Sequence, residues 1–122
     1  MAWKACGSTD LPLAGKEHDW DGDEATDQMF KRAQEGGEFD ASKVQEGHFA
    51  YNTEESDEQQ GYKLPFAMVV NGELKAVPQG IYAVAQVLEG ARGGVDLPDD
   101  VLQEVREKVE KYYERMGEEA PW

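Results

Sequence analysis

Apolar residues recur along this chain with two different periods, and the places where the period changes mark its elements. In the run "GYKLPFAMVVNGELKAVPQGIYAVAQVLEGARGG", Gly61 to Gly94, β-branched and aromatic residues come first. Ile81, Val84, Ala85 and Leu88 then repeat at the spacing of one helical face. "YKLPFAMVV" reads as a strand and "ELKAV" as its partner, which predicts a hairpin over about 62–77. Asn71-Gly72 joins them because both central positions of a two-residue type I′ turn need positive φ. Pro65 removes a ladder donor, so this strand is expected at an edge or at a bulge. Pro78 opens a buried helix over 79–90, closed by Gly90, Gly93 and Gly94.

Two further helices carry clear end signals. "WDGDEATDQMFKRAQEGG" predicts a helix over 21–35, with Asp21 as cap, Glu24 as its capping-box partner and Trp20 facing Ala25 across the first turn. Ala25, Met29, Phe30 and Ala33 give it a narrow apolar stripe, and Gly36 and Gly37 stop it. "LPDDVLQEVREKVEKYYERMG" predicts a helix over 98–116 with Val101, Val105, Val109, Tyr112 and Met116 on one side and Gly117 as its stop. "GHFAYN" reads as a short strand and "TEESDEQQ" as a mobile acidic loop. Residues 1–19, broken by Gly7, Pro12 and Gly15, read as an irregular arm from which Trp3, Leu11 and Leu13 lie across a core. No βαβ unit repeats. The expected fold is therefore one α+β domain over 20–117, with about three helices on a small antiparallel sheet and a tail over 118–122 that is either disordered or docked through Trp122.

Composition narrows the partners. Against 12 basic residues stand 26 acidic ones, a formal net charge of −14, so the average field repels nucleic acid and anionic lipid and attracts a basic protein. Such a surface can also imitate the DNA backbone for an enzyme whose groove holds DNA. A single cysteine, Cys6, can form no internal disulfide and has no His/Cys partner at zinc-ligand spacing. No apolar run reaches the roughly 20 residues that span a bilayer, and the N-terminal stretch lacks the apolar centre of a signal peptide.

Candidate chemistry is sparse. "EHDWDGDE" places His18 beside Asp19, Asp21, Asp23 and Glu24, but Gly22 comes too early for a calcium loop, and acids at a helix start cap amides without any ion. His18 and His48 read as solvated or locally hydrogen-bonded, and Ser8, Ser42 and Ser56 sit outside any nucleophile elbow. "GARGG", with Arg92, lacks the lysine and hydroxyl of a phosphate loop and follows a helix, which suits a helix stop and a turn. No cofactor or metal is expected, and no enzymatic activity.

"YKLPFA", "NGELKAVPQGIYAVAQVLEGARGGVDLP" and the closing "VEKYYERM", with "LPLAGKEHDWDGDEA" upstream, resemble a small tailed-phage domain. Such domains are appended to prohead (capsid maturation) proteases and other morphogenesis proteins. The resemblance runs from about Leu11 to Met116; Met68 departs from it, standing where the pattern tends to carry an acid, and the protease domain has no counterpart. It implies a non-enzymatic, phage-encoded module in the virion or host cytoplasm that binds a capsid or assembly protein. The alternative from charge is a DNA-mimic inhibitor of a basic host enzyme. Expected contacts are Tyr62, Lys63 and Phe66 on the hairpin edge, the acidic rims Asp19, Asp21, Asp23, Glu24 and Glu54, Glu55, Asp57, Glu58, and Arg92.

Overall fold

The computed structural model describes residues 3–90 and 94–122. Strands β1 (Trp3–Ala5), β2 (His48–Asn52) and β3 (Tyr62–Pro65) form one antiparallel sheet, in that order; β4 (Ala67–Val70) and β5 (Glu73–Ala76) form a second. Among the described residues four α-helices complete an α+β fold: α1 (Gly22–Ala33), α2 (Ala41–Gln45), α3 (Pro78–Leu88) and α4 (Asp99–Arg115). The arm predicted as irregular thus contributes a strand. β1 pairs Trp3 with Asn52 and Ala5 with Ala50, and the pairing runs on through Cys6 N–H to the Phe49 carbonyl at 2.8 Å.

The predicted hairpin is narrower than 62–77, because the chain changes partner at Phe66. β3 pairs with β2 (Ala50 with Lys63, Tyr51 with Tyr62), whereas β4 pairs with β5 (Ala67 with Ala76, Val70 with Glu73). Phe66 belongs to both ladders: its N–H reaches the Gly47 carbonyl at 3.0 Å and its own carbonyl accepts from Val77 N–H at 2.9 Å. Leu64, at φ 61, bends the strand just before this switch, and Pro65 lies on an edge strand where a missing N–H leaves the ladder intact. Asn71 and Gly72 have φ 54 and 80, as a type I′ turn requires.

Aromatic packing holds the two sheets to the helices. Phe49 and Phe66 stack at 4.0 Å with Tyr112 against both, inside a cluster that takes in the predicted stripes of α3 and α4 and, from that of α1, Ala25 and Met29. Burying each such ring stabilises the fold by about 2–3 kcal/mol. A second cluster (Phe30, Ala33, Val44, Tyr62) forms where α1 meets α2, a five-residue helix that no periodicity announced and that Asp40 caps through the Ser42 N–H.

One face of α4 straps down the arm. Lys108 Nζ donates to the Gly7 carbonyl at 3.1 Å, and Arg115 donates to the carbonyls of Thr9 and Leu11 at 3.0 and 2.8 Å. Tyr112 Oη donates to the Ser8 carbonyl and accepts from Leu11 N–H at 3.3 Å. Positions 108, 112 and 115 recur on one side of a helix, so a single stripe of donors satisfies backbone that no sheet pairs. Leu13 and its neighbours run parallel to β5, with Ala76 N–H donating to the Pro12 carbonyl and Ala14 N–H to that of Ala76, both at 2.8 Å. That edge is closed.

The tail docks. Gly117 ends α4 in a Schellman motif, its N–H bonded to the Glu114 carbonyl and Glu118 N–H to that of Tyr113. The Glu118 carboxylate pairs with Lys16 at 2.7 Å and accepts from Tyr82 Oη at 2.6 Å, contacts that hold its pKa below the usual value. Trp122 donates to Glu110 at 2.7 Å and lies under the Arg106 guanidinium.

Candidate binding cleft

A cleft of about 710 Å³ opens between the start of α1, the edge strand β3 and the outer face of α3. Local sequence places each wall. Asp21 has extended backbone and caps α1 by accepting from the Asp23 and Glu24 N–H groups through one oxygen, Oδ1, at 3.1 and 3.2 Å. The reciprocal half of the predicted capping box is replaced: Glu24 accepts from Gln28 at 3.5 Å instead. Trp20 lies flat on α3 because residue 80 is glycine; a Cβ there would come within 3.0 Å of the indole. Ala83, Val84 and Val87 form an apolar wall, Leu64 and Pro65 another, and Gln59 and Gln60 supply amides from one turn of 3-10 helix.

Behind the cleft sits His48, fully buried. Its Nδ1 lies 2.9 Å from the Val44 carbonyl, which can only accept, so Nδ1 carries the proton and Nε2 accepts from the Thr26 hydroxyl at 2.9 Å. Burial pushes the imidazole down to about 4, against the opposing effect of the Val44 bond. The pair therefore joins a hydroxyl facing the cleft to a weak base whose far nitrogen meets a carbonyl, where a catalytic triad has a carboxylate. His48 was expected to be solvated or locally bonded; it is buried, with the local bond to Val44 and a second bond to the sequence-distant Thr26.

Cys6 is similarly engaged, its thiol donating to the His48 carbonyl at 3.0 Å and pushed up to about 12 by burial. Among the described residues, no three His, Cys, Asp or Glu side chains come together as a metal site requires. His18 Nδ1 lies 2.9 Å from the Asp19 carbonyl, in a neighbouring hollow that Tyr82 and Gln79 help to line.

Of the expected contact residues, the cleft brings together Asp21, Asp23 and Tyr62. Tyr62 is itself largely buried, with its hydroxyl donating to the Ser56 carbonyl at 2.7 Å and its ring edge-on to Phe30; burial pushes that phenol up to about 12. Phe66 corrects the expectation outright. It is 0% exposed, stacked on Phe49 at the switch between sheets, and no partner can reach it. Lys63 points its ammonium to the Asp96 carbonyl at 3.1 Å and over Trp3. Asp19 lines the neighbouring hollow and Glu24 is exposed on α1. Arg92 lies outside the described residues.

Glu54, Glu55, Asp57 and Glu58 lie on a loop with more internal structure than its sequence suggests. Asn52, 1% exposed, accepts from Glu54 N–H through its side chain at 3.0 Å, and its carbonyl accepts from Glu55 N–H. Gly61 lies hard against the Glu55 carbonyl, in space a Cβ would occupy. Sequence reasoning passed over Trp20 as a surface, along with Thr26, the two glutamines and the α3 wall. Ala83 and Val87 fall outside the buried stripe of α3, and small apolar residues on the wetter side of a helix were the available signal.

No protein-family model, no curated protein and no solved structure matches this chain. Among the described residues no helix is long and apolar enough to cross a membrane.

Proposed function

We propose that this chain is a non-enzymatic, phage-encoded protein-binding module that serves capsid assembly or decorates the virion. The phage assignment comes from the sequence resemblance. The observation that favours binding over catalysis is the use of the reactive groups: His48, Cys6 and Asp21 are each committed to a backbone or capping bond beside or behind the cleft. What remains for contact is a concave surface of mixed apolar, amide and carboxylate character, suited to holding a polypeptide. Such a module works in the virion or in the host cytoplasm.

A net charge of −14 favours a second reading, a DNA mimic that fills the groove of a basic host enzyme. Pull-down of the tagged protein from infected cells, with cross-links mapped by mass spectrometry, separates the two. Capsid or assembly proteins among the cross-linked partners, together with a fixed copy number in purified particles, are expected. A host nuclease or polymerase as the partner supports the mimic instead. Absence from particles with no cross-linked phage protein overturns the assembly role.

A further inference from the structure

We infer that the cleft holds an extended segment of the partner bearing a lysine or arginine, with its cationic head at Asp21 and Asp23. This rests on the binding-module reading and narrows it to a chemistry. Asp21 and Asp23 are the charged residues of the cleft lining, and both are acids on a protein already at −14. Asp21 spends only Oδ1 on capping, which leaves Oδ2 for a ligand. The Asp23 side chain is exposed and has no hydrogen-bond or ion-pair partner among the described residues.

The geometry also argues against an anion. A helix N-terminus ordinarily offers free amides to phosphate or carboxylate. Here the Asp23 and Glu24 amides are already taken by Asp21, and the two carboxylates would repel such a ligand. About 710 Å³ falls within the size of small-ligand sites, room for a side chain and its neighbours. Val84 and Val87 would take an adjacent apolar residue, and the Gln59 and Gln60 amides can bond an extended backbone. Pro65 has no N–H and Leu64 is bent to φ 61, so β3 is a poor template for simple strand addition. Side-chain recognition is what this edge permits.

The probes are two capped peptides, acetyl-Val-Arg-Val-amide and acetyl-Val-Gln-Val-amide, titrated to millimolar concentration against the ¹⁵N-labelled full chain at physiological salt. For the arginine peptide, shifts should concentrate at the Trp20 indole N–H, Gly22 and Gln60, with affinity at least several-fold above that of the glutamine peptide. Asp23→Asn should weaken the arginine peptide several-fold. Asp21→Ser keeps a capping oxygen while removing the charge, and should weaken it similarly with the spectrum otherwise preserved. Asp27→Asn, one turn away and outside the cleft lining, should leave it unchanged. Equal binding of the two peptides, shifts spread over α4, or no shift at all overturns the inference. In that case partner cross-links mapping elsewhere on the surface would leave the binding-module reading standing, whereas an absence of any cross-linked partner would remove both.

Discussion

Acidification should destabilise this fold through His48 alone by an amount that can be isolated. In the unfolded chain the imidazole titrates at its ordinary value of 6.5; in the fold, burial holds it down to about 4. Between those values the unfolded state binds a proton that the native state refuses, so stability is complete above pH 6.5 and declines as pH falls toward 4. The interval from 6.5 to about 4, at about 1.4 kcal/mol per pH unit, amounts to about 3 kcal/mol. Carboxylates with lowered pKa, Asp40 and Glu118, also lose stability on acidification, so the measurement has to be a difference. His48→Asn is the reference, because its amide nitrogen stands where Nδ1 does and can still donate to the Val44 carbonyl, yet it cannot titrate. Urea unfolding at half-unit steps from pH 7.5 to 4 should give a wild-type curve that loses about 3 kcal/mol more than the variant's. The His48 proton resonance should titrate near 4. Parallel curves for the two proteins, or an imidazole titrating at 6.5 or above, would refute the assignment of a buried neutral tautomer.

Further outcomes follow from single contacts. Gly61→Ala drives a methyl group into the Glu55 carbonyl and should lower stability by about 1–3 kcal/mol or more by thermal or urea unfolding, with the loop around 53–58 shifting most by NMR. Tyr112→Phe leaves the Ser8 carbonyl and the Leu11 N–H without their shared partner; a loss of about 1–3 kcal/mol is expected, with faster amide exchange confined to the arm. Cys6, pushed up to about 12, should react with a disulfide reagent at pH 8 far more slowly than free glutathione, and at the free rate only in denaturant. Asp21→Ala should cost about 1 kcal/mol through loss of the cap, whereas Asp21→Ser should recover most of it.

Elements whose signals are local were legible in the sequence. Asn71-Gly72, the stripes of α1, α3 and α4, and the glycine at 117 each act within a turn or two of their own position, and each is found where predicted. What escaped depends on residues distant in sequence. A leucine at positive φ is uncommon, so nothing in "YKLPFA" announces that Leu64 bends and that Phe66 serves two sheets. α2 is too short for periodicity, and β1 becomes a strand only because β2 offers an edge. The burial of His48 follows from α1 and α2 closing around it, and the cleft from the seating of Trp20, just ahead of α1, on α3 at Gly80. Acidic residues were legible as surface, but their split between the cleft and the loop was set by the fold.

The strap of α4 side chains on the arm bears on how the chain assembles. Its bonds join residues 101 to 106 positions apart: Lys108 to Gly7, Tyr112 to Ser8, Arg115 to Thr9. Closing so long a loop carries an entropic cost that only near-complete folding offsets. During synthesis the carbonyls of Gly7, Ser8 and Thr9 therefore wait, hydrated, until α4 has left the ribosome. Docking of the arm is then a late step, and its protection from exchange would time the completion of the fold.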